Sequence, residues 1–337
     1  MTVLAWPKKN NNPYIEILYR EFEKQGCKVL SHRENRIKNL FSENVDIFHF
    51  HWLNSYLMHN TLKSLIATIA FISYIKILKS KNVKIVWTVH NSETFTHHGK
   101  NKWLEKILVP FLLENSDKLI IHNKNQKNHF DKKYYNKIVY IPHHNYLPIL
   151  NSQVRSFKLK AKYFLFFGGI SPYKGIEKLI TMYNDIEINI PLKIVGRING
   201  EGYKEKLEKL ITNKEKIILE DRFLSDEELE LLIKESKAII LPFSKITNSG
   251  SLILSLSCRK PVIITRNLLS QKIVEEYPNL KNVIHIYSRD DELENVLLNI
   301  DKKGYFDSDF NSYLETTNVD NLVKEKYFKE FNNLINK

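Results

Sequence analysis

The chain has 337 residues, 43% of them hydrophobic and 26% charged, which is the composition of a soluble globular protein with room for two domains. Its two cysteines, Cys27 and Cys258, are too far apart in sequence for a disulfide framework or a cysteine-based zinc site. No signal peptide is recognisable after Met1, and the most apolar segment, 64–78, is too short to span a bilayer, so we expect a cytosolic protein.

Positive charge is concentrated in the first part of the chain. Residues 1–155 hold 23 Lys and Arg against 11 Asp and Glu, whereas the remainder holds 28 against 27. Eleven of the 12 histidines also lie in this first part. We therefore expect it to face an anionic partner, which could be a membrane surface, a pyrophosphate-linked lipid or a nucleic acid. The plainer alternative is a lysine excess that serves solubility.

Short apolar runs alternate with amphipathic segments along the first half, a pattern typical of parallel βαβ units. Strands are predicted at Val3–Trp6, Lys28–Ser31, Ile47–His51, Lys84–His90, Lys118–His122 and Lys137–Pro142. Helices are predicted at Tyr14–Gln25, Leu57–Ser80, Trp103–Asn115 and Asn125–Tyr134. The predicted helix Leu57–Ser80 is broadly apolar. Either it belongs to the core or, with the nearby lysines and the patch Lys100–Trp103, it docks on lipid headgroups.

The pattern restarts after a polar stretch, which predicts a linker near 146–162 and a second domain. Strands are predicted at Tyr163–Phe167, Leu192–Val195, Lys216–Leu219, Ala238–Pro242, Pro261–Thr265 and Val283–Tyr287. Helices are predicted at Gly175–Tyr183, Tyr203–Thr212, Ser225–Glu235, Gly250–Ser257 and Val319–Ile335. The sequence therefore predicts an α/β protein with two doubly wound, Rossmann-like domains, in which ligands bind beyond the carboxyl ends of the strands.

The turn after the predicted strand Tyr163–Phe167 is the most informative motif. Gly168 and Gly169 follow the strand directly, and Lys174 and Gly175 precede the next helical pattern. Such a turn exposes backbone N–H groups at the positive end of a helix, beside an ammonium group, which is the chemistry needed to hold a diphosphate. An ordinary strand–helix turn is the alternative, because short glycine motifs are common.

Short motifs at the ends of predicted strands share the order and spacing of a known family. They are Asn12-Pro13-Tyr14, His49-Phe50-His51-Trp52, Trp87-Thr88-Val89-His90-Asn91, Ile141-Pro142-His143-His144-Asn145-Tyr146, the turn 168–175, Lys193-Ile194-Val195-Gly196, the stretch 223–229, and Leu241-Pro242-Phe243 followed by Thr247-Asn248-Ser249-Gly250. Over nearly the whole chain, this set resembles the GT-B-fold glycosyltransferases, in particular glycosyltransferase family four and its relatives that assemble bacterial surface polysaccharides.

This resemblance implies two Rossmann-like domains that face each other across a cleft. Residues 1–150 would bind the acceptor, residues 151–318 the nucleotide sugar, and a helix at 319–337 would pack back toward the first domain. The chain departs from the family pattern in two places. Gly169 stands where many relatives have an arginine, and the region 245–254 lacks the two glutamates that most relatives carry there. It has a Ser-Gly pair instead, like a subset of relatives.

A nucleotide-sugar donor loses a nucleoside diphosphate, so negative charge grows on the leaving phosphate during the reaction. A fixed cation and backbone N–H groups stabilise that charge. We predict donor contacts, with Lys174 the main candidate for a catalytic role, at Gly168, Gly169, Lys174, Arg197, Arg222, Thr247, Asn248, Ser249 and Gly250. The structural alternatives are a solvated lysine, a helix cap at Ser249 and surface ion pairs of the arginines.

His90 ends a predicted strand, and in family four the histidine at this position contacts the donor sugar and orients the reacting centre. Glu93, three residues on, would orient His90 or act as the base of an inverting reaction. Trp52 is suited to stacking on a sugar ring. Acceptor contacts are predicted for Asn12, Tyr14, His51, Trp52, His143 and His144. A structural role is the alternative for each histidine, because histidines near strand ends are usually structural.

No metal or separate cofactor is expected. His49 and His51 point to one face of their strand, but no third zinc ligand can be identified, and the GT-B mechanism needs no metal. Asp307-Ser308-Asp309 resembles the cation motif of GT-A transferases, yet it lies in a polar stretch and is interpreted as a solvated loop. No G-x-G-x-x-G follows the first strand, which argues against a dehydrogenase.

The leading hypothesis is a metal-independent glycosyltransferase, retaining if it follows family four. It would move a sugar from a UDP- or GDP-linked donor to a lipid-linked oligosaccharide in capsule, O-antigen or exopolysaccharide synthesis. We expect it at the cytoplasmic face of the inner membrane, in peripheral contact through its basic first domain, and without a nucleic-acid partner. The alternatives are a GT-B-fold epimerase of nucleotide sugars and a basic, non-enzymatic nucleic-acid-binding protein.

Overall fold

A computed structural model of the protein describes residues 1–8, 12–32, 44–53, 61–90, 101–150, 161–243, 249–300 and 306–336. The chain divides into two compact units. Unit 1 comprises residues 1–144 and 317–337, and unit 2 comprises residues 145–316. The sequence predicts these divisions at 150 and 318, each within a few residues of the observed position.

Each unit is built on a six-stranded parallel sheet. The strands of unit 1 are β1 (Thr2–Trp6), β2 (Lys28–Ser31), β3 (Ile47–Phe50), β4 (Lys84–Val89), β5 (Lys118–Ile121) and β6 (Ile138–Tyr140), in the spatial order β2-β1-β3-β4-β5-β6. Those of unit 2 are β7 (Tyr163–Phe167), β8 (Leu192–Val195), β9 (Ile217–Glu220), β10 (Ser236–Leu241), β11 (Val262–Thr265) and β12 (Ile284–Tyr287), in the order β12-β11-β10-β7-β8-β9. The predicted fold class is confirmed.

Helices connect the strands, as parallel pairing requires. In the described ranges they are α1 (Pro13–Lys24), α2 (Thr61–Ser80), α3 (Lys102–Asn115), α4 (Ile176–Asp185), α5 (Tyr203–Leu210), α6 (Asp226–Glu235), α7 (Gly250–Ser257), α8 (Leu268–Glu276), α9 (Asp290–Asn299), α10 (Ser308–Thr316), α11 (Val319–Leu322) and α12 (Phe328–Ile335). A π-helical turn, Val323–Tyr327, joins the last two. The predicted capping box of α6 is present, since Ser225 and Glu228 each accept a hydrogen bond from the other's amide.

One predicted helix and one predicted loop are wrong. The segment predicted as the helix Asn125–Tyr134 forms two short 3₁₀ turns, Lys124–His129 and Lys132–Tyr134, because Phe130 between them has an extended backbone. The D-x-D motif is not a solvated loop but the start of α10. There Asp309 accepts hydrogen bonds from the Phe306 amide and from Asn282.

The strand order of each sheet indicates where a ligand would bind. In doubly wound sheets, ligands bind beyond the carboxyl ends of the strands at the point where the order reverses. In unit 2 that point lies between β7 and β10, whose carboxyl ends lead into Gly168 and Pro242. In unit 1 it lies between β1 and β3, and β3 leads into His51. The glycine turn predicted to hold a diphosphate therefore stands at the switch point of unit 2.

The sheet of unit 1 has two different faces. Side chains alternate along a strand, so the pairing of Phe50 with Trp87 puts these two rings on one face, where they stack with centroids 5.5 Å apart. That face belongs to an apolar core shared with α2 and α3. His49 and Thr88 lie on the opposite face, fully buried, and Tyr19 of α1 reaches them there. Polar groups buried in this way must find partners within the unit.

Helix α2 is longer than the apolar segment that defines it in the sequence. It spans Thr61–Ser80, and by length and composition alone it could cross a membrane, which corrects the expectation that the segment is too short. A buried stripe of α2, however, includes Phe71, Ile75 and Leu78, which belong to the core of unit 1. The helix therefore has one face committed to the fold.

Candidate active site

The turn after β7 is held by two glycines in close contact. Gly168 has φ +105°, a conformation that favours glycine. A Cβ atom on Gly196, which follows β8, would lie 2.0 Å from the Gly168 carbonyl oxygen. The ends of β7 and β8 can approach this closely only because Gly196 lacks a side chain. Gly169, the next residue of the turn, is exposed to solvent.

The same turn contacts the end of β10. Its second half is a short 3₁₀ turn, Pro172–Lys174, that ends at Gly175 with φ +74°. A Cβ atom on Gly175 would lie 2.4 Å from the carbonyl oxygen of Pro242. The turn therefore lies against the end of β10, and the switch point is lined by backbone rather than by bulky side chains.

Lys174 is a half-buried cation beside this backbone. Its Nζ lies 5.9 Å from the centroid of the Phe166 ring and 5.5 Å from that of Phe243. Burial lowers the pKa of the Lys174 ammonium from its ordinary value. Among the residues that the structure describes, Lys174 forms no ion pair. An anionic ligand at the turn would supply the missing negative charge.

Helix α7 begins at the same place. Ser249 caps it, with Oγ accepting a hydrogen bond from the Leu252 amide at 3.1 Å. The Ser251 Oγ lies 3.5 Å from where a Cβ on Gly168 would be, so the helix start adjoins the glycine turn. The amides of Gly250 and Ser251 are in the first turn, where no helical carbonyl can accept from them. Thr247 and Asn248, also predicted to contact the donor, lie outside the described residues.

The two arginines predicted to help hold the donor are engaged in ion pairs. Arg222 donates to Glu220 at 2.7 Å and to Glu228 at 3.1 Å. Arg197 is exposed and lies 3.7 Å from Asp221. Both follow strands at the carboxyl edge of the sheet, so their predicted contacts with a donor stay predictions.

In unit 1 the predicted histidines converge on Tyr14. This side chain is fully buried, and its hydroxyl is hydrogen-bonded to that of Tyr327 at 2.9 Å. Ring contacts with centroids 4.7 to 5.7 Å from that of Tyr14 are made by His51, His90, His122, His143 and His144. We call these five residues the histidine cluster. Asn12 caps α1 by accepting from the Tyr14 amide, so it positions Tyr14.

Four members of the histidine cluster, His51, His90, His122 and His143, are uncharged, because burial opposes the imidazolium form. Burial lowers the pKa of His122 to about 4, and it holds the pKa values of His51, His90 and His143 well below the ordinary one. Backbone carbonyls fix several ring protons. His122 donates from Nδ1 to Ile141 at 2.8 Å, His143 from Nδ1 to the His144 carbonyl at 2.7 Å, and His144 from Nε2 to Tyr14 at 3.1 Å.

His90 lies at the carboxyl end of β4, as predicted. Trp52 stacks on its ring with centroids 4.4 Å apart and planes 16° apart. Trp52 was predicted to stack on a sugar; in this structure one of its faces meets an imidazole. Glu93 lies outside the described residues. Both ring nitrogens of His51 are hydrogen-bonded within unit 1, to Tyr19 and to His90, which leaves none for the acceptor contact predicted for it.

Two members of this arrangement escaped prediction from the sequence. His122 follows β5 as His90 follows β4 and His51 follows β3, so a histidine ends each of three neighbouring strands. That repetition was a usable signal. Tyr19 gave none, because its position on α1 is typical of any core aromatic residue. No group of three histidine, cysteine, aspartate or glutamate side chains in the described part of the chain could hold a metal ion.

Known proteins resemble this chain in sequence and in fold. The family described as Glycosyl transferases group 1 matches residues 150–300, which is most of unit 2. A GDP-mannose:glycolipid 4-beta-D-mannosyltransferase of Xanthomonas campestris pv. campestris is 23% identical over 272 residues, covering 80% of this chain and 74% of that protein. The structure of Anabaena Alr3699/HepE in complex with UDP is similar with a TM-score of 0.68 at 12% identity, covering 98% of each chain.

A second solved structure, AviGT4, is described as a glycosyltransferase involved in avilamycin A biosynthesis. It has a TM-score of 0.63 at 12% identity and covers 99% of this chain and 98% of its own. Two parallel six-stranded sheets with surrounding helices are thus the GT-B fold. The family match over residues 150–300 and the sequence similarity to the mannosyltransferase support a glycosyltransferase with this fold.

Proposed function

We propose that this protein transfers a sugar from a nucleoside-diphosphate sugar, bound by unit 2, to a lipid-linked saccharide acceptor, bound by unit 1. The observation that carries the proposal is the convergence at one switch point of Lys174, which has no carboxylate partner among the described residues, and the open amides of α7. A diphosphate would give the Lys174 ammonium its counter-charge and would accept hydrogen bonds from the first amides of α7. The mannosyltransferase relative acts, by its name, on a glycolipid with GDP-mannose, which supports the acceptor class.

The proposed chemistry needs no metal ion. As the glycosidic bond to the diphosphate breaks, charge grows on the leaving oxygen, and Lys174 with the first amides of α7 stabilises it. Lys174 meets no competing anion in the described residues, so its full charge is available to the substrate. We propose retention of anomeric configuration, following the resemblance to family four. Inversion would require a general base, for which Glu93 is the candidate.

A nucleotide panel tests the donor site directly. We expect UDP or GDP to raise the thermal unfolding midpoint of the protein, whereas the matching nucleoside monophosphate has a much smaller effect, because the second phosphate provides most of the charge that Lys174 and α7 bind. Equal stabilisation by mono- and diphosphates, or none by any diphosphate, would contradict the proposal.

One assay can examine the reaction type. With donor and a lipid-linked acceptor, turnover should persist in excess EDTA, and NMR of the product should show the anomeric configuration of the donor. Loss of turnover in EDTA would disprove metal independence, and an inverted product would disprove retention. Isomerisation of the donor without any acceptor would instead identify an epimerase.

We further propose peripheral contact between unit 1 and an anionic membrane at the cytoplasmic face of the inner membrane. Large apolar side chains are exposed along one side of α2 and at the start of α3, namely Leu62, Ile66, Ile69, Ile77, Trp103 and Ile107. We call this set the apolar strip. Helix α2 contains Lys63, Lys76 and Lys79 but no acidic residue. An apolar face bordered by lysines fits an anionic lipid surface, and there it would meet lipid-linked acceptors of capsule, O-antigen or exopolysaccharide synthesis.

Vesicle co-sedimentation tests the membrane contact. The protein should sediment with vesicles that contain phosphatidylglycerol and far less with pure phosphatidylcholine, and the double variant Ile66→Glu/Ile69→Glu should abolish binding. Leu298→Glu, at an exposed apolar position of α9 in unit 2, is the matched control. Unchanged sedimentation of the double variant would exclude the apolar strip as the contact.

A further inference from the structure

A continuous row of hydrogen bonds leads through buried residues of unit 1 to His90. Thr88 Oγ1 lies 2.8 Å from His49 Nε2, and His49 Nδ1 lies 3.1 Å from the Tyr19 hydroxyl. That hydroxyl lies 2.8 Å from His51 Nε2, and His51 Nδ1 lies 3.1 Å from His90 Nε2. All five side chains are at most 9% exposed. We call Thr88, His49, Tyr19 and His51 the imidazole row.

The hydrogen bonds of the imidazole row must all point the same way from donor to acceptor. A neutral imidazole has one N–H donor and one acceptor nitrogen, and a tyrosine hydroxyl has one proton to donate. Burial keeps His49 neutral by lowering its pKa to about 3, and the Tyr19 hydroxyl stays protonated because burial raises its pKa. Once one member donates forward, every later member must do so too.

Thr88 sets that direction. Among the described residues its hydroxyl has no acceptor other than His49 Nε2. If His49 donated to Thr88 instead, the threonine proton would be buried without a partner, which costs free energy. Thr88 therefore donates to His49, which donates to Tyr19. Tyr19 then donates to His51 Nε2 in preference to the His49 carbonyl oxygen, which is farther away at 3.5 Å. His51 in turn donates from Nδ1 to His90.

We infer that the imidazole row is a positioning device for His90: it makes His90 Nε2 an acceptor, places the ring proton on Nδ1, and so makes His90 a neutral hydrogen-bond donor rather than a base. The role of His90 at the sugar rests on the proposed function, but its tautomer does not. The titratable groups that face His90 include His51 after β3, His122 after β5 and Tyr14 of α1, and His49 and His144 also act on it electrostatically. Trp52 covers one face of the ring.

Histidine nitrogen NMR tests the inference without any substrate. In protein labelled with nitrogen-15 histidine, the His90 signals, assigned by their loss in His90→Gln, should show a protonated Nδ1 and an unprotonated Nε2. Thr88→Val removes only the hydroxyl that starts the row, four hydrogen bonds from His90, and should shift His90 toward the Nε2-protonated form. Tyr19→Phe, which cuts the row in the middle, should do the same.

Two controls separate this effect from general damage to the fold. Thr68→Val changes a buried threonine of α2 whose hydroxyl has no hydrogen-bond partner among the described residues and lies outside the row. Tyr327→Phe removes a buried hydroxyl bonded to Tyr14, not to the row. Both should leave the His90 tautomer as in the wild type. A wild-type His90 protonated on Nε2, or a tautomer unaffected by Thr88→Val and Tyr19→Phe, would overturn the inference.

Activity gives a second measurement. Tyr19→Phe should lower turnover by roughly tenfold, about the net contribution of one hydrogen bond. It should also change the shape of the pH–rate profile, because His90, once protonated on Nε2, has an Nδ1 that can take up a proton. Tyr327→Phe should leave the profile unchanged. If the protein has no transferase activity, the proposed function fails while the NMR result still decides the tautomer. An altered tautomer with an unaltered pH profile would show that the row does not act on the reaction.

Discussion

At the scale of single residues, the donor site is marked by Lys174, a cation without an ion-pair partner among the described residues. Lys174 lies against Phe166 and Phe243, is partly withdrawn from water, and has no ion-pair partner in the described part of the chain. The neighbouring arginines differ, since Arg222 is already bound by two glutamates. A half-buried cation without a counter-charge among the described residues is an unfavourable element of a fold, and it is explained most simply by a ligand that provides the charge.

Lys174→Ala should lower turnover by about two to three orders of magnitude, the size of effect seen when one stabiliser of transition-state charge is removed. The free energy of unfolding should not fall, because no ion pair is lost. Lys178→Ala is the matched control, as Lys178 is an exposed lysine of α4 that pairs with Asp290. Steady-state kinetics and thermal unfolding of both variants provide the measurement. Near-normal turnover of Lys174→Ala would remove this residue from the mechanism.

At the scale of elements, glycines determine how closely the strand ends of unit 2 approach. The carbonyl oxygen of Gly168 occupies the space that a side chain on Gly196 would need, and Gly175 lies in the same way against Pro242. These contacts bring the glycine turn, the end of β10 and the start of α7 to one point. The sheet order alone places the ends of β7, β8 and β10 side by side, but they can approach this closely only because Gly196 and Gly175 have no side chains.

Gly196→Ala should destabilise unit 2 by about 3 kcal/mol or more, because backbone atoms must move to admit the methyl group. Gly202→Ala is the control. Gly202 also has a positive φ, +68°, but nothing lies within 4 Å of its added Cβ, so only the conformational cost of about 1 kcal/mol applies. Urea denaturation of both variants measures the difference. Similar losses would show that the contact with Gly168 relaxes easily.

At the scale of the whole molecule, the two units differ in their response to acid. Unit 1 contains the buried neutral histidines, whereas unit 2 contains a single histidine, His285. The folded-state pKa values of His49, about 3, and His122, about 4, lie below the ordinary unfolded value near 6.5. Below about pH 6.5, His49 and His122 therefore bind protons in the unfolded chain but stay neutral in folded unit 1. The stabilisation is complete above about pH 6.5 and is lost as the pH falls toward the folded values.

Unit 1 should consequently lose about 2 kcal/mol for each of His49 and His122 between pH 6.5 and pH 5. All four tryptophans, Trp6, Trp52, Trp87 and Trp103, lie in unit 1, so tryptophan fluorescence follows this unit alone. The fluorescence midpoint of thermal unfolding should fall steeply over this range, while the part of the circular dichroism signal that belongs to unit 2 changes less. A flat fluorescence midpoint would contradict the histidine assignment.

The sequence by itself determined the two α/β units, because the alternation of apolar runs and amphipathic segments is a local pattern. It also located the glycine turn and the histidine that ends β4, since both adjoin strong strand signals. It missed α8 and α9, and the acceptor contact predicted for His51 stays a prediction, because both ring nitrogens of His51 are hydrogen-bonded within unit 1.

Tertiary structure alone decided which polar groups meet. The row from Thr88 to His90 joins two strands and a helix, and its direction depends on the Thr88 hydroxyl having a single acceptor within the described ranges. Likewise, the contact of Gly168 with Gly196 depends on two strands that are separated in the chain by a whole helix. Hydrogen bonds and steric contacts act over a few ångströms in space, whereas sequence patterns report only neighbours along the chain.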